Sequence, residues 1–176
     1  MLSVLNLTFR IIILNFNKNE TLHYLDQRGI KYEIVEHQAV YNMAEMEQIE
    51  LPHPEADAKN LFVRDDKKRN YYLLTIKGDK RVNLQQFREE NGTRRLSFAS
   101  PQDLKEKLGL EPGSVTPLGL LNDPGHEIPF YLDSYFSQQP KIAMHPNDNT
   151  ATIWLDPQDL LKVIKGLGNP VKVVKM

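Results

Sequence analysis

Three short polar stretches carry the side chains best suited to act on a ligand. Lys59 stands in Ala58-Lys59-Asn60-Leu61-Phe62-Val63, directly ahead of an apolar run. Gly113-Ser114-Val115-Thr116-Pro117 is a G-x-x-x-P loop. His145 lies in Met144-His145-Pro146-Asn147-Asp148-Asn149-Thr150, behind Lys141-Ile142-Ala143-Met144. An ammonium on a flexible stem suits a phosphate, which it meets as a point charge. Glycine permits close backbone approach and proline fixes the exit angle, so the loop can aim main-chain N–H and C=O groups at a small polar ligand. Taken singly, each stretch is ordinary: a lysine at a strand start is commonly solvated, G-x-x-x-P matches many surface turns, and a lone histidine is commonly structural. Their weight comes from occurring together.

Other chemistries are narrowed by composition. The chain has no cysteine, which removes thiolate nucleophiles, disulfides and Cys-ligated zinc. Ser114 is a formal nucleophile, but no general base is specified beside it and no Ser-His-Asp order stands out. His23, His37, His53 and His126 lack an H-x-x-x-H spacing or an acidic companion, so no metal is expected, and no cofactor.

The elements that must position these residues follow from periodicity and punctuation. Asn19 to Arg28 reads as a helix with Leu22 and Leu25 on one face and Gly29 as its stop, and Lys31 to Glu36 as a strand. Met43 to Ile49 reads as a second helix before Pro52-His53-Pro54. Leu61 to Val63 and Tyr71 to Ile76 flank a charged turn and predict an antiparallel hairpin. Val82 to Glu90 predicts an amphipathic helix ended by Asn91-Gly92. Ser100-Pro101-Gln102-Asp103 and Asp156-Pro157-Gln158-Asp159 each supply an N-cap, a proline at the first helical position and an acid in the first turn, so a helix starts at each. Arg95 to Ala99, Leu118 to Leu121, Ile128 to Leu132, Lys141 to Met144, Thr150 to Leu155 and Val171 to Val174 read as strands. Hairpin-like turns mixed with isolated helices predict an α+β or mixed α/β fold, with a mixed, largely antiparallel curved sheet and flanking helices.

The chain of 176 residues, 40% hydrophobic and 26% charged, has the composition of one globular domain. Residues 19–176 are read as that domain and 1–18 as an N-terminal extension, with an extra strand or a start-site extension expected in the first sixteen. Arg10 interrupts that apolar segment, which is shorter than the roughly 20 residues a membrane span needs and lacks a basic start or cleavage site. No membrane association is expected, and the cytoplasm is the expected location. A net charge of −1 gives no global field toward nucleic acid, which leaves local basic turns at Lys67-Lys68-Arg69, Lys80-Arg81 and Arg94-Arg95 to meet RNA or to be solvated.

In order and spacing, the lysine segment, the G-x-x-x-P loop and the H-P-x-D-N-T-A-T stretch resemble the freestanding prolyl-tRNA deacylases, relatives of the YbaK-like aminoacyl-tRNA editing domain. The resemblance covers roughly residues 19 to 176. It includes Gly78-Asp79-Lys80-Arg81-Val82, Arg95-Leu96-Ser97-Phe98-Ala99 and Leu120-Leu121-Asn122-Asp123. It implies hydrolysis of a wrongly attached amino acid, alanine foremost, from proline-specific tRNA, with Lys59 and His145 as the catalytic residues and the Gly113, Ser114, Val115, Thr116, Pro117 loop binding the aminoacyl group. In that reading Lys59 holds the acceptor end, His145 shapes the pocket, and a neighbouring ribose hydroxyl assists an attacking water. The implied partners are mischarged tRNA and prolyl-tRNA synthetase. Two other readings stand beside it: a cysteinyl-tRNA deacylase of the YbaK branch, and a module that binds a tRNA end or a protein without catalysis.

Overall fold

The computed structural model describes residues 15–176; the extension expected in the first sixteen residues falls almost wholly outside them. Helix α1, Lys18–Gln27, is capped by the Asn17 side chain, which accepts from the Asn19 and Glu20 amides. Strand β1, Tyr32–Glu36, follows, and then α2, Met43–Met46, a single turn where the sequence predicts a helix to Ile49. The hairpin is longer than expected: β2 runs Ala58–Asp65 and β3 Tyr71–Lys77. Its turn is built on Asp65, whose buried carboxylate accepts from the amides of Lys67 and Arg69 and from the Asn70 side chain. Helix α3, Leu84–Asn91, strand β4, Leu96–Phe98, and helix α4, Pro101–Leu108, follow, the last opened by a reciprocal Ser100–Asp103 capping box. Strands β5, Phe130–Asp133, β6, Ile142–Met144, and β7, Ala151–Leu155, precede helix α5, Pro157–Leu167, and strand β8, Val171–Val174.

One expected strand is absent. Pro117–Asn122 forms a 3-10 helix, with Thr116 capping its start and residues Pro117 to Leu121 buried. The apolar run Leu118-Gly119-Leu120-Leu121 carries no period that separates a short buried helix from a buried strand, and Thr-Pro at its head is a helix-start signal.

The strands form two sheets. One has three strands in the order β1-β7-β6, all antiparallel; the other has five in the order β4-β2-β3-β5-β8, antiparallel around β2 and parallel from β3 through β8. The fold is the mixed α/β architecture the sequence predicts, its strands divided between two sheets. The main core lies between them: Leu73, Phe130 and Leu132 from the larger sheet and Ile142 and Ile153 from the smaller one are fully buried in one cluster with Leu108, Leu118, Leu120, Leu160 and Ile164. Helix α5 contributes an apolar stripe, Leu160, Leu161, Val163 and Ile164, at helical spacing.

This packing leaves a hollow where the N-terminal end of β2, the loop before the 3-10 helix and the end of β6 converge.

Candidate active site

The hollow is an open cavity of about 330 Å³, within the ordinary range of small-molecule sites of about 300–1,000 Å³. Val40, Leu51, Leu61, Val115 and Met144 supply its apolar wall, and Asp57, Lys59, Asn60, His145 and Thr152 its polar groups. Of the residues singled out from sequence, Lys59, Gly113, Val115 and His145 line it together. Ser114, Thr116 and Pro117 are not on its wall. They hold the loop from behind.

Lys59 is the second residue of β2 and is paired with Ile76 of β3. Its ammonium donates to the Lys80 carbonyl at 2.6 Å, which fixes the end of the flexible side chain and leaves two of its three hydrogens for a ligand. Two residues earlier, Asp57 also lines the cavity, and burial raises the pKa of its carboxyl against the opposing effects of the Ala58 amide and the Lys59 charge. A Cβ on Gly78 would stand 1.8 Å from Asp57 Oδ2, so that glycine is what gives the carboxylate its place.

The G-x-x-x-P loop is tied at both ends. Ser114 Oγ donates to the Glu111 carbonyl at 2.7 Å and accepts from the Glu111 amide, so the hydroxyl is engaged in its own turn and makes a poor nucleophile. Thr116 Oγ1 donates to the His145 carbonyl at 2.7 Å, which joins the loop to the histidine segment. Gly113 has φ of +89°, and a Cβ there would lie 3.0 Å from both Tyr41 Cα and Val40 O. The Val40 carbonyl in turn accepts from Asn149 Nδ2 at 2.8 Å. The Val40-Tyr41 backbone is therefore clasped between the loop and the turn after His145. Gly113→Ala is expected to cost about 1–3 kcal/mol, because a positive φ and a backbone clash coincide, and to lower activity further by displacing the Val40-Tyr41 wall. Chemical denaturation together with a rate measurement checks both parts.

His145 is half-buried at the end of β6. Its Nδ1 lies 2.8 Å from the Ala151 carbonyl. A carbonyl only accepts, so Nδ1 carries the hydrogen and Nε2 is left as an acceptor. Burial lowers the pKa of the ring, and the neighbouring His37 lowers it further, against the Ala151 carbonyl and the Asp148 charge. Both effects favour the neutral form of the ring.

His37, passed over by the sequence reading because it lacks metal-ligand spacing, stands beside this group. Its ring centroid is 6.1 Å from that of His145, and its Nε2 is 2.9 Å from Thr152 Oγ1. Thr152 and Asp57, both on the cavity wall, were also not singled out; the period of two along β2, carried one residue back from Ala58, places Asp57 on the Lys59 face and could have pointed to it. Among the described residues no cluster of three or more His, Asp or Glu side chains is placed to hold a metal ion. One cation in each of two basic turns is already paired: Lys80 with the buried Asp133 and the Met176 carbonyl, and Arg94 with Asp66 through two hydrogen bonds.

The family model of the aminoacyl-tRNA editing domain matches residues 37–163, a span that holds every residue of this cavity. The chain belongs to that family. Among its relatives, the prolyl-tRNA editing protein ProX of Acetoanaerobium sticklandii is 37% identical over 159 residues, covering 90% of this chain and 97% of that one. The prolyl-tRNA synthetase associated domain-containing protein 1 of Mus musculus is 38% identical over 157 residues, covering 82% and 90%. A solved structure described as a candidate trans-editing enzyme for prolyl-tRNA synthetase superposes with a TM-score of 0.64 at 23% identity, over 90% of this chain and 97% of that one, and so shares the editing-domain fold.

Proposed function

We propose that the protein is a trans-editing deacylase that hydrolyses the ester of alanyl-tRNA(Pro). The observation that carries this reading is the one cavity in which Lys59, the Gly113 loop and the His145 ring converge. The relatives named for prolyl-tRNA editing and for association with prolyl-tRNA synthetase point to the same tRNA and to that synthetase as partner.

Water adds to the ester carbonyl carbon, the bond to the ribose oxygen breaks, and that oxygen leaves with a proton, releasing a free amino acid and intact tRNA. The chain has no cysteine, and Ser114 is held in its own turn, so the nucleophile is water rather than a side chain. The vicinal ribose hydroxyl of the substrate assists the attack, and the protein contributes position and fixed dipoles. Lys59 holds the phosphate-bearing acceptor end while the Gly113 loop lies along the aminoacyl group.

Selectivity has a size argument behind it. A synthetase pocket shaped for proline rejects a smaller apolar amino acid by only about 1–3 kcal/mol per missing methylene, so a second sieve adds fidelity. Val40, Leu61, Val115 and Met144 bound an apolar space for a small side chain. Purified protein incubated with alanyl-, cysteinyl-, seryl- and prolyl-tRNA at fixed salt is expected to release alanine fastest and proline slowest. Preferential release of cysteine would move the chain to the cysteinyl branch, and no release from any of the four would leave a binding module. Among the described residues no helix is long and apolar enough to cross a membrane.

A further inference from the structure

His37, Thr152 and His145 form a row across the three-stranded sheet. The β6–β7 register pairs Ile142 with Leu155, Ala143 with Trp154 and Met144 with Ile153. The next position outward sets His145 opposite Thr152. On the other side of β7, Val35 pairs with Thr152, and the His37 amide donates to the Thr150 carbonyl at 2.9 Å, which continues the β1 register one residue past Glu36 and sets His37 two residues beyond Val35. Side chains two apart on a strand share a face, so all three lie on the side of the sheet that bears the cavity, where Ala143, His145 and Thr152 form its wall.

The hydrogen-bond directions in this row are fixed by its ends. His37 Nδ1 is 2.8 Å from the Gln38 carbonyl, so it donates, and in the neutral ring Nε2 then accepts the Thr152 hydroxyl hydrogen. That leaves Thr152 Oγ1 with lone pairs and no hydrogen to give. The same logic applied to His145, with Nδ1 donating to Ala151, leaves its Nε2 as an acceptor. Two neighbouring cavity groups are thus both acceptors, and a ligand group that satisfies both must bring at least two hydrogens.

We infer that Thr152 Oγ1 and His145 Nε2 together receive the free α-ammonium group of the aminoacyl ester, with His37 as the positioning residue that keeps Thr152 in its accepting state. This rests on the deacylase reading and deepens it. An α-ammonium offers three donors and serves both acceptors. An α-hydroxyl offers one, and an N-acylated amine offers a single N–H with added bulk. The site would accept unblocked aminoacyl esters and refuse chains that already carry an acyl group on nitrogen, which protects peptidyl-tRNA from hydrolysis.

The test uses binding of an ester mimic, so that it stands apart from catalysis: the alanyl amide of 3′-amino-3′-deoxyadenosine, its lactyl counterpart and its N-acetylalanyl counterpart, titrated calorimetrically into the full chain. Wild-type protein is expected to prefer the alanyl compound over each of the others by about tenfold or more, the scale of a charge-assisted hydrogen bond lost at a partly buried site. Thr152→Val, close in shape, is expected to shrink that preference to about twofold while leaving lactyl binding nearly unchanged. His37→Asn keeps a donor for the Gln38 carbonyl but removes the acceptor for Thr152. The freed hydroxyl then donates to the lactyl oxygen, and the alanyl-to-lactyl ratio falls mainly because lactyl binding improves. Equal affinity of the wild type for the three compounds, no binding of any, or a uniform loss for all three in both variants overturns the inference. Hydrolysis of alanyl-tRNA by the wild type, measured in parallel, reports on the deacylase reading separately: turnover without ammonium selectivity sinks only this subsite.

Discussion

Replacing Lys59 by alanine is expected to lower the single-turnover rate of alanyl-tRNA hydrolysis by about 100-fold or more, the scale seen when one preorganised charged or polar donor is deleted from an active site. The side chain is half-buried, lines the cavity beside the Gly113 loop, and is held at its tip by the Lys80 carbonyl. It is thus fixed before substrate arrives, and little ordering remains to be done on binding. The same geometry limits the structural damage. One hydrogen bond to a main-chain carbonyl contributes about 1 kcal/mol, which for a chain of this size is a loss of about 2–4 °C in Tm. A variant that melts near the wild-type temperature but has lost its rate is therefore the expected pair of results. Salt dependence provides a third reading. If the ammonium meets a phosphate, the slope of log KM against log salt is expected to fall by about 0.7–0.9, the value of one released counterion. Wild-type single-turnover hydrolysis in Lys59→Ala would remove the residue from the reaction.

Legibility in the sequence followed the range of the interactions. Local grammar was readable: Ser100-Pro101 and Asp156-Pro157 each cap a helix where their side chains can reach the first amides, and both helices begin at the prolines. Leu118 to Leu121 failed because burial on all sides erases the period that tells strand from helix, and only the Thr116 cap remained as a cue. The division into two sheets was not readable either. It depends on β7 pairing with β1 and β6 while β5 joins β3 in parallel, and no residue of β5 or β7 declares its neighbour. In the site, Lys59, Gly113 and His145 stood out because motifs carried them. His37 did not, since its significance lies in a hydroxyl 115 residues away along the chain and in a ring brought alongside by the same sheet. Ser114 and Thr116 sit in the motif yet turn their hydroxyls to main-chain carbonyls, a distinction that spacing alone does not make.

The His145 ring offers two groups, Nδ1 engaged by the Ala151 carbonyl and Nε2 as a free-standing acceptor in the proposed site, and two variants separate them. His145→Ala deletes both the acceptor Nε2 and the Nδ1 donor, leaving the Ala151 carbonyl without that partner, so a stability loss of about 1–3 kcal/mol is expected alongside a loss of rate or of discrimination against prolyl-tRNA. In His145→Asn the side-chain amide can still donate to the Ala151 carbonyl, but nothing replaces Nε2. Stability is expected to recover while the rate stays low. A His145→Asn enzyme with wild-type rate and selectivity would reduce the ring to a structural strut. The pH dependence follows from the same burial. The folded ring has a pKa below its ordinary value of 6.5, chiefly because burial disfavours the charged form. Between the two values the unfolded chain binds the proton and the folded chain does not, so stability from this residue is complete above 6.5 and declines as pH falls below it. The rate, if it needs the neutral ring, is expected to hold as pH is lowered through 6.5 and to fall only at more acid pH, where the folded ring takes its proton. In His145→Asn this part of the stability profile flattens, because no group remains at that position to titrate; a profile unchanged from the wild type would assign the acid sensitivity to another residue.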